Sequence, residues 1–201
     1  MSSKKLAPLS GVLGVALIIG SFALGGNSPD QNGSAAEVVS YFTKHHDKLL
    51  FAAALLALGA FFLLVFTTTM AGALRRASGE TGGTSALSFA GGVILVVGIT
   101  LFAGITFSLA DAIKHLEPAA AQSLNTLGAD LFFPLAVGNG AFLLGSGIGV
   151  IKTKILPVWL GWVAVVLGVA ALTPAGFFAF MLLGLWILIV SVMLSRRADT
   201  A

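Results

Sequence analysis

Six apolar runs, each about long enough to cross a bilayer, fill most of this chain, and nearly every charge falls between them. The runs are Leu6–Gly26, Leu49–Leu74, Ala86–Ala110, Leu127–Ile151, Ile155–Thr173 and Ala175–Ser195. A helix needs roughly 20 apolar residues to cross a hydrocarbon core of about 30 Å. Of the six runs, only the fourth contains a formal charge, Asp130, close to one end. The chain of 201 residues is 57% hydrophobic and 9% charged, against about 25% charge in a soluble domain. So few charges could not cover the surface of a water-soluble fold of this size, whereas lipid removes the need. The expected architecture is all-α and polytopic: one domain over residues 1–201, a bundle of six transmembrane helices.

The last two runs almost touch. As one helix, Ile155–Ser195 would be about 60 Å long at 1.5 Å per residue, twice the core thickness, so the chain must reverse. Thr173-Pro174-Ala175-Gly176 is the place, because proline starts helices and cannot continue them. Orientation follows from lysine and arginine. With the N-terminus inside, Lys4, Lys5, Arg75, Arg76, Lys152, Lys154, Arg196 and Arg197 are cytoplasmic, and only Lys44, Lys48 and Lys114 lie outside. Six crossings then leave both termini in the cytoplasm. A rival reading makes the first run a cleaved signal peptide, with Lys4 and Lys5 before it and Ala23, Gly25 and Gly26 at its end.

Two outer segments carry local signals. Asn27–Gly33 is turn-rich, and Ser34-Ala35-Ala36-Glu37 fits a capping box in which serine and glutamate satisfy each other's free backbone N–H groups. A short helix is expected to run from Ala35 into the second membrane helix, with Val38, Val39, Phe42 and Leu49 facing lipid or protein and Tyr41 at the headgroup level. In Asp111–Thr126, Asp111 can pair with Lys114 or His115 one turn on, and Pro118 breaks the helix. The inner loop Ala77–Ser85 is short and polar.

Candidate sites are few. Gly145-Ser146-Gly147-Ile148-Gly149 superficially resembles a nucleotide-binding loop, but that needs a preceding strand, and here the run lies inside an apolar helix. With Gly138 and Gly140 it suits close helix packing. Asn139 lies near the middle of the fourth run. An unpaired amide in hydrocarbon costs about 4–8 kcal/mol on the cyclohexane scale, so it requires either an interhelical hydrogen bond or a substrate. Asp130 and Pro134 are expected to start the fourth helix, the carboxylate complementing the dipole. The alternative is a buried acid that carries a proton or a cation, with Asp111 as its neighbour. His45, His46 and His115 lie on the outer side, where histidines and carboxylates could bind zinc or copper. Adjacent histidines point about 100° apart on a helix, so interfacial polarity explains His45 and His46 as well.

Arg75, Arg76, Lys152, Lys154, Arg196 and Arg197 form a basic ring suited to anionic lipid headgroups, and nucleic-acid binding is not indicated. Asn32-Gly33-Ser34 is a glycosylation sequon, relevant only in a eukaryotic host. No cysteine is present, and neither a zinc-protease HExxH nor a GxSxG nucleophile motif occurs. No cofactor is implied. The partners indicated are the bilayer itself and, through the glycine-rich faces, a second copy or another subunit.

The stretch Leu156-Pro157-Val158-Trp159-Leu160-Gly161-Trp162, preceded by Lys152-Thr153-Lys154, resembles a signature in a group of uncharacterised bacterial six-helix membrane proteins, many of them actinobacterial, that form a domain of unknown function. Leu74-Arg75-Arg76 with Phe89-Ala90-Gly91-Gly92 is similar to the same group's second-to-third helix connection. The likeness covers most of Val38–Arg197 and implies a plasma-membrane location without an established activity. The physical reading of that signature stands alone: Pro157 begins a helix, and Trp159 and Trp162 sit at the inner interface where indole prefers the headgroup boundary. Three roles stay open: a non-enzymatic helper or subunit of a membrane assembly, a small-solute or ion transporter using Asp130, Asn139 and Asp111, or a metal- or haem-bearing protein using the histidines.

Overall fold

The computed structural model describes residues 3–30, 32–79 and 83–197. The side chains of Lys4 and Lys5, and residues 80–82 within the Ala77–Ser85 loop, lie outside that description. Among the described residues there are eight helices and no strand: α1 (Ser3–Gly25), α2 (Ala35–Lys44), α3 (His46–Ser78), α4 (Thr84–Ala112), α5 (Pro118–Asp130), α6 (Phe132–Thr153), α7 (Val158–Ala171) and α8 (Gly176–Arg197). Five spans are long and apolar enough to cross a membrane: Leu6–Gly25, His46–Ser78, Thr84–Ala112, Pro118–Thr153 and Gly176–Arg197. The apolar α7 is shorter, at 14 residues, or about 21 Å. These features are those of a multi-pass helical membrane protein.

The helices α1, α3, α4, α6, α7 and α8 close into a ring in chain order. α1 packs on α3, α3 on α4, α4 on α6, α6 on α7, α7 on α8, and α8 returns to α1, while α6 also reaches α3 and α8. Helix order, which no residue pair in the sequence specifies, is therefore settled by packing. Small residues let the backbones approach. A Cβ built on Gly91 would lie 2.2 Å from the Phe142 amide nitrogen, and one on Gly138 or Gly145 would lie 2.4 Å from the nitrogen of Leu95 or Ser88. At this seam the Ser88 and Ser146 hydroxyls hydrogen-bond at 2.8 Å. Inside the ring, Phe66, Phe142 and Trp186 meet edge to face, and the indole N–H of Trp186 donates to the Leu160 carbonyl at 3.0 Å. Val15 and Ile18 bring α1 into the same core.

One end of the bundle is basic, carrying Arg75, Arg76, Lys152, Lys154, Arg196 and Arg197, all at or just beyond the C-terminal ends of α3, α6 and α8. The other end carries a cap. There α2 packs on α5, and Val38, Phe42 and Ala121 form a second small core with Leu49, Leu109, Ala110 and Ile113 of α3, α4 and the turn beyond.

Three expectations change at this cap end. The helix from Ala35 does not continue into the membrane helix: it stops at Lys44, and His45 leaves the helical conformation at φ −113° and ψ 18°, with its backbone N–H and ring Nδ1–H both donating to the Tyr41 carbonyl, at 3.0 and 2.9 Å. Pro118 opens a helix instead of only breaking one. Glu117 before it is extended, as a residue preceding proline must be, and proline fits the first helical position. The run Leu127–Ile151 is two helices with a break at Leu131. The Pro134 ring cannot coexist with a helical carbonyl from Asp130, four residues earlier. Asp130 therefore ends α5, and α6 begins two residues later at Phe132.

Candidate functional site

A concavity lies beneath the cap. A cavity of about 680 Å³ is bounded by the last turn of α1 and the segment Gly26–Pro29, by Tyr41 and Phe42 of α2, and by Leu49, Ala52, Ala53 and Leu56 of α3. Phe102, Ile105, Thr106 and Leu109 of α4, Asn125, Gly128 and Ala129 of α5, and Phe177 of α8 complete it. It reaches from the cap to Leu56, about 15 Å along α3 from His46 at 1.5 Å per residue. Among the described residues no charged one lines it; the nearby Lys44, Asp47 and Lys48 are exposed.

The polar side chains of this cavity mostly hold its frame together. The Tyr41 hydroxyl donates to the Gly25 carbonyl and so ties α2 to the end of α1. Asn125 Nδ2 donates to the Pro29 carbonyl at 3.5 Å, tying α5 to the same segment. The Ser21 hydroxyl donates to the Ala52 carbonyl at 2.8 Å, joining α1 to α3. Burial pushes the Tyr41 phenol above its ordinary pKa, because the phenolate would lose solvation. Thr106 differs. Thr100 returns its hydroxyl to the Val96 carbonyl at 3.0 Å, whereas among the described residues the Thr106 hydroxyl, on the cavity wall, has no protein partner. The capping box forms as expected: the Ser34 hydroxyl accepts from the Glu37 amide at 3.3 Å, and Glu37 accepts from the Ser34 amide at 2.8 Å.

The residues singled out from sequence are placed elsewhere. Asn139 is fully buried in α6, but neither its amide oxygen nor its nitrogen has a hydrogen-bond partner, and it does not line the cap cavity. Asp130 and Asp111 are exposed at the ends of α5 and α4, so the buried-acid reading lacks burial. Asp111 makes no ion pair with Lys114 or His115 among the described residues. His45 caps α2, and its ring lies 4.8 Å from that of Tyr41. His46 Nδ1 meets Asp47 Oδ1 at 2.8 Å, and His115 is exposed. Among the described residues no three histidines or carboxylates gather as a metal ion requires. Gly145–Gly149 packs against α4, α7 and α3, where a nucleotide-binding loop would have to be open. Trp159 and Trp162 stand 56% and 59% exposed at the start of α7, beside Lys152 and Lys154 at the basic end.

The cavity residues Ser21, Thr106 and Asn125 were not evident from sequence. Their only signal is polarity within or next to the apolar runs, and no periodicity tells which face of a helix they occupy. No family model, curated protein or solved structure matches the chain.

Proposed function

We propose that this chain is a non-enzymatic plasma-membrane protein that holds a neutral, mainly apolar small molecule in its cap cavity, as a helper or subunit of a membrane assembly. In this reading α1, α3, α4, α6, α7 and α8 all cross the bilayer, and both termini are cytoplasmic. The basic end faces the cytoplasm, as the positive-inside rule requires, so the cap and its cavity open on the outer half. The role of α1 as a retained crossing is supported by Val15 and Ile18 in the core. Membership of the uncharacterised six-helix group that Leu156–Trp162 resembles belongs to the same proposal.

The observation that carries the reading is the cavity: about 680 Å³, within the 300–1,000 Å³ or so typical of small-molecule sites, uncharged among the described residues, with the Thr106 hydroxyl and the Asn27 amide making no hydrogen bond among those residues. A charged ligand would be left without a counter-ion there, whereas an apolar body with one hydrogen-bonding group fits. The test is thermal unfolding of detergent-purified protein with and without decanol. Occupancy at 100 times Kd stabilises by about 2.7 kcal/mol, and Ala53→Trp, which fills the cavity, is expected to abolish the upward shift. An equal shift in both proteins would show that the alcohol acts outside the cavity.

A second reading, passage of a small solute or ion, has one observation in its favour: the unpaired amide of Asn139 in the middle of α6. It requires a route to Asn139 that the cap cavity does not supply. Flux into proteoliposomes that disappears in Asn139→Leu would favour it.

A further inference from the structure

α1 and α8 pack closely near the basic end and separate toward the cap. A Cβ on Gly11 would lie 2.2 Å from Ser191 Oγ. One on Gly184, two turns toward the cap, would be in ordinary contact, 3.5 Å from Val15 Cγ1. The widening gap is a groove of about 330 Å³ between Ile18, Ile19 and Phe22 of α1 and Phe180, Met181 and Leu185 of α8. Ile19, Met181 and Leu185 are 60%, 50% and 56% exposed, in spans that face hydrocarbon when the protein is in a membrane. Phe22 lines both this groove and the cap cavity. Behind it stands Phe102 of the cavity wall, with ring centroids 6.3 Å apart. Phe22, backed by Phe102, is therefore the residue that the linings of the groove and the cavity share.

We infer that the cavity is loaded sideways from the bilayer, through the α1–α8 groove past Phe22, and that its occupant is a neutral lipid with a single flexible chain and a hydroxyl-bearing head. The inference rests on the ligand-binding reading of the cap cavity. The chemistry is continuous along the path. The groove is lined by apolar side chains and one glycine, and the cavity beyond it, uncharged among the described residues, offers the Thr106 hydroxyl to a head group. A lipid taking this path keeps its chain in an apolar medium throughout, whereas entry from water would expose it.

The absence of native cysteine permits a direct test in the full chain. Ile19→Cys/Met181→Cys protein in lipid vesicles is bridged across the groove with a reducible bis-methanethiosulfonate reagent. A diazirine-bearing long-chain alcohol in the same vesicles is then photo-activated, and labelled peptides are mapped by mass spectrometry. Labelling of the α3 and α4 walls around Ala53 and Phe102 is expected to fall on the order of tenfold on bridging, as for a closed gate, and to recover on reduction. Because bridged and reduced states are the same molecule, misfolding cannot produce that pattern. Ala53→Trp is expected to lose wall labelling in either state. Unchanged wall labelling in the bridged protein would overturn lateral loading and leave the cavity as a binding site reached from water. Absence of wall labelling in the unbridged protein would overturn the ligand reading and this inference together.

Discussion

Asn139 places an amide in the middle of α6 where nothing among the described residues takes its hydrogen bonds. Sequence requires a partner for such a group, and the structure provides none. An unsatisfied buried polar group costs about 1–3 kcal/mol, and an apolar replacement of similar shape removes that cost. Asn139→Leu is therefore expected to raise the unfolding midpoint in detergent. A lowered midpoint would reveal a partner, such as a bound water or solute, that the amide normally serves. Tyr41 is the opposite case, a polar group whose hydrogen bond joins two elements. Tyr41→Phe should cost about 1 kcal/mol near neutral pH. Since the folded state raises the phenol's pKa, it favours the protonated form. That contribution is complete below the unfolded value of about 10 and is lost as pH rises through the higher folded value. The stability gap between wild type and Tyr41→Phe should thus stay constant up to about pH 9 and shrink above pH 10. Titrating lysines affect both proteins alike, so the difference isolates the phenol. A gap that persists unchanged into strong alkali would remove Tyr41 as the donor.

Whether an element could be read from the chain depended on whether its signal was local. The Ser34–Glu37 box forms because the four residues that make it are consecutive, and Pro157 precedes α7 for the same reason. The break at His45 was hidden because it is a change of backbone conformation at one residue, which apolar periodicity does not encode. The split at Leu131 was within reach, since the Pro134 ring excludes the carbonyl four residues before it; the unbroken apolar run masked it. Glycine seams were legible as spacing but not as pairings. The sequence marks Gly138 and Gly145 as small, and only the fold shows that α4 backbone lies 2.4 Å from where their Cβ atoms would be. Gly138→Ala must push α4 and α6 apart, and overpacking of this kind costs about 1–3 kcal/mol. Gly20, with nothing within 4 Å, provides the contrast. Gly20→Ala should be neutral or slightly stabilising, since alanine exceeds glycine by about 1 kcal/mol in a helix interior. Unfolding midpoints of the two variants in one detergent measure this, and equal effects would mean that the α4–α6 seam is not close-packed.

At the scale of the molecule, orientation and crossing number come down to one short element. Five spans have the length and apolarity to cross, and α7 at about 21 Å falls short of a 30 Å core. In the proposed topology the uncharged flanks Ile155–Pro157 and Leu172–Ala175 would make up the missing length. If α7 crosses, α8 returns and Arg197 shares a side with Arg76. If it does not, the two arginines face opposite sides. The chain's lack of cysteine makes the distinction measurable with Lys44→Cys, Arg76→Cys and Arg197→Cys, single changes at exposed positions. In intact cells a membrane-impermeant maleimide is expected to label Lys44→Cys alone, and all three should react after permeabilisation. Labelling of Arg197→Cys from outside would remove α7 as a crossing. Labelling of Arg76→Cys from outside would invert the bundle, place the cap cavity against the cytoplasm, and require its ligand to come from the inner leaflet.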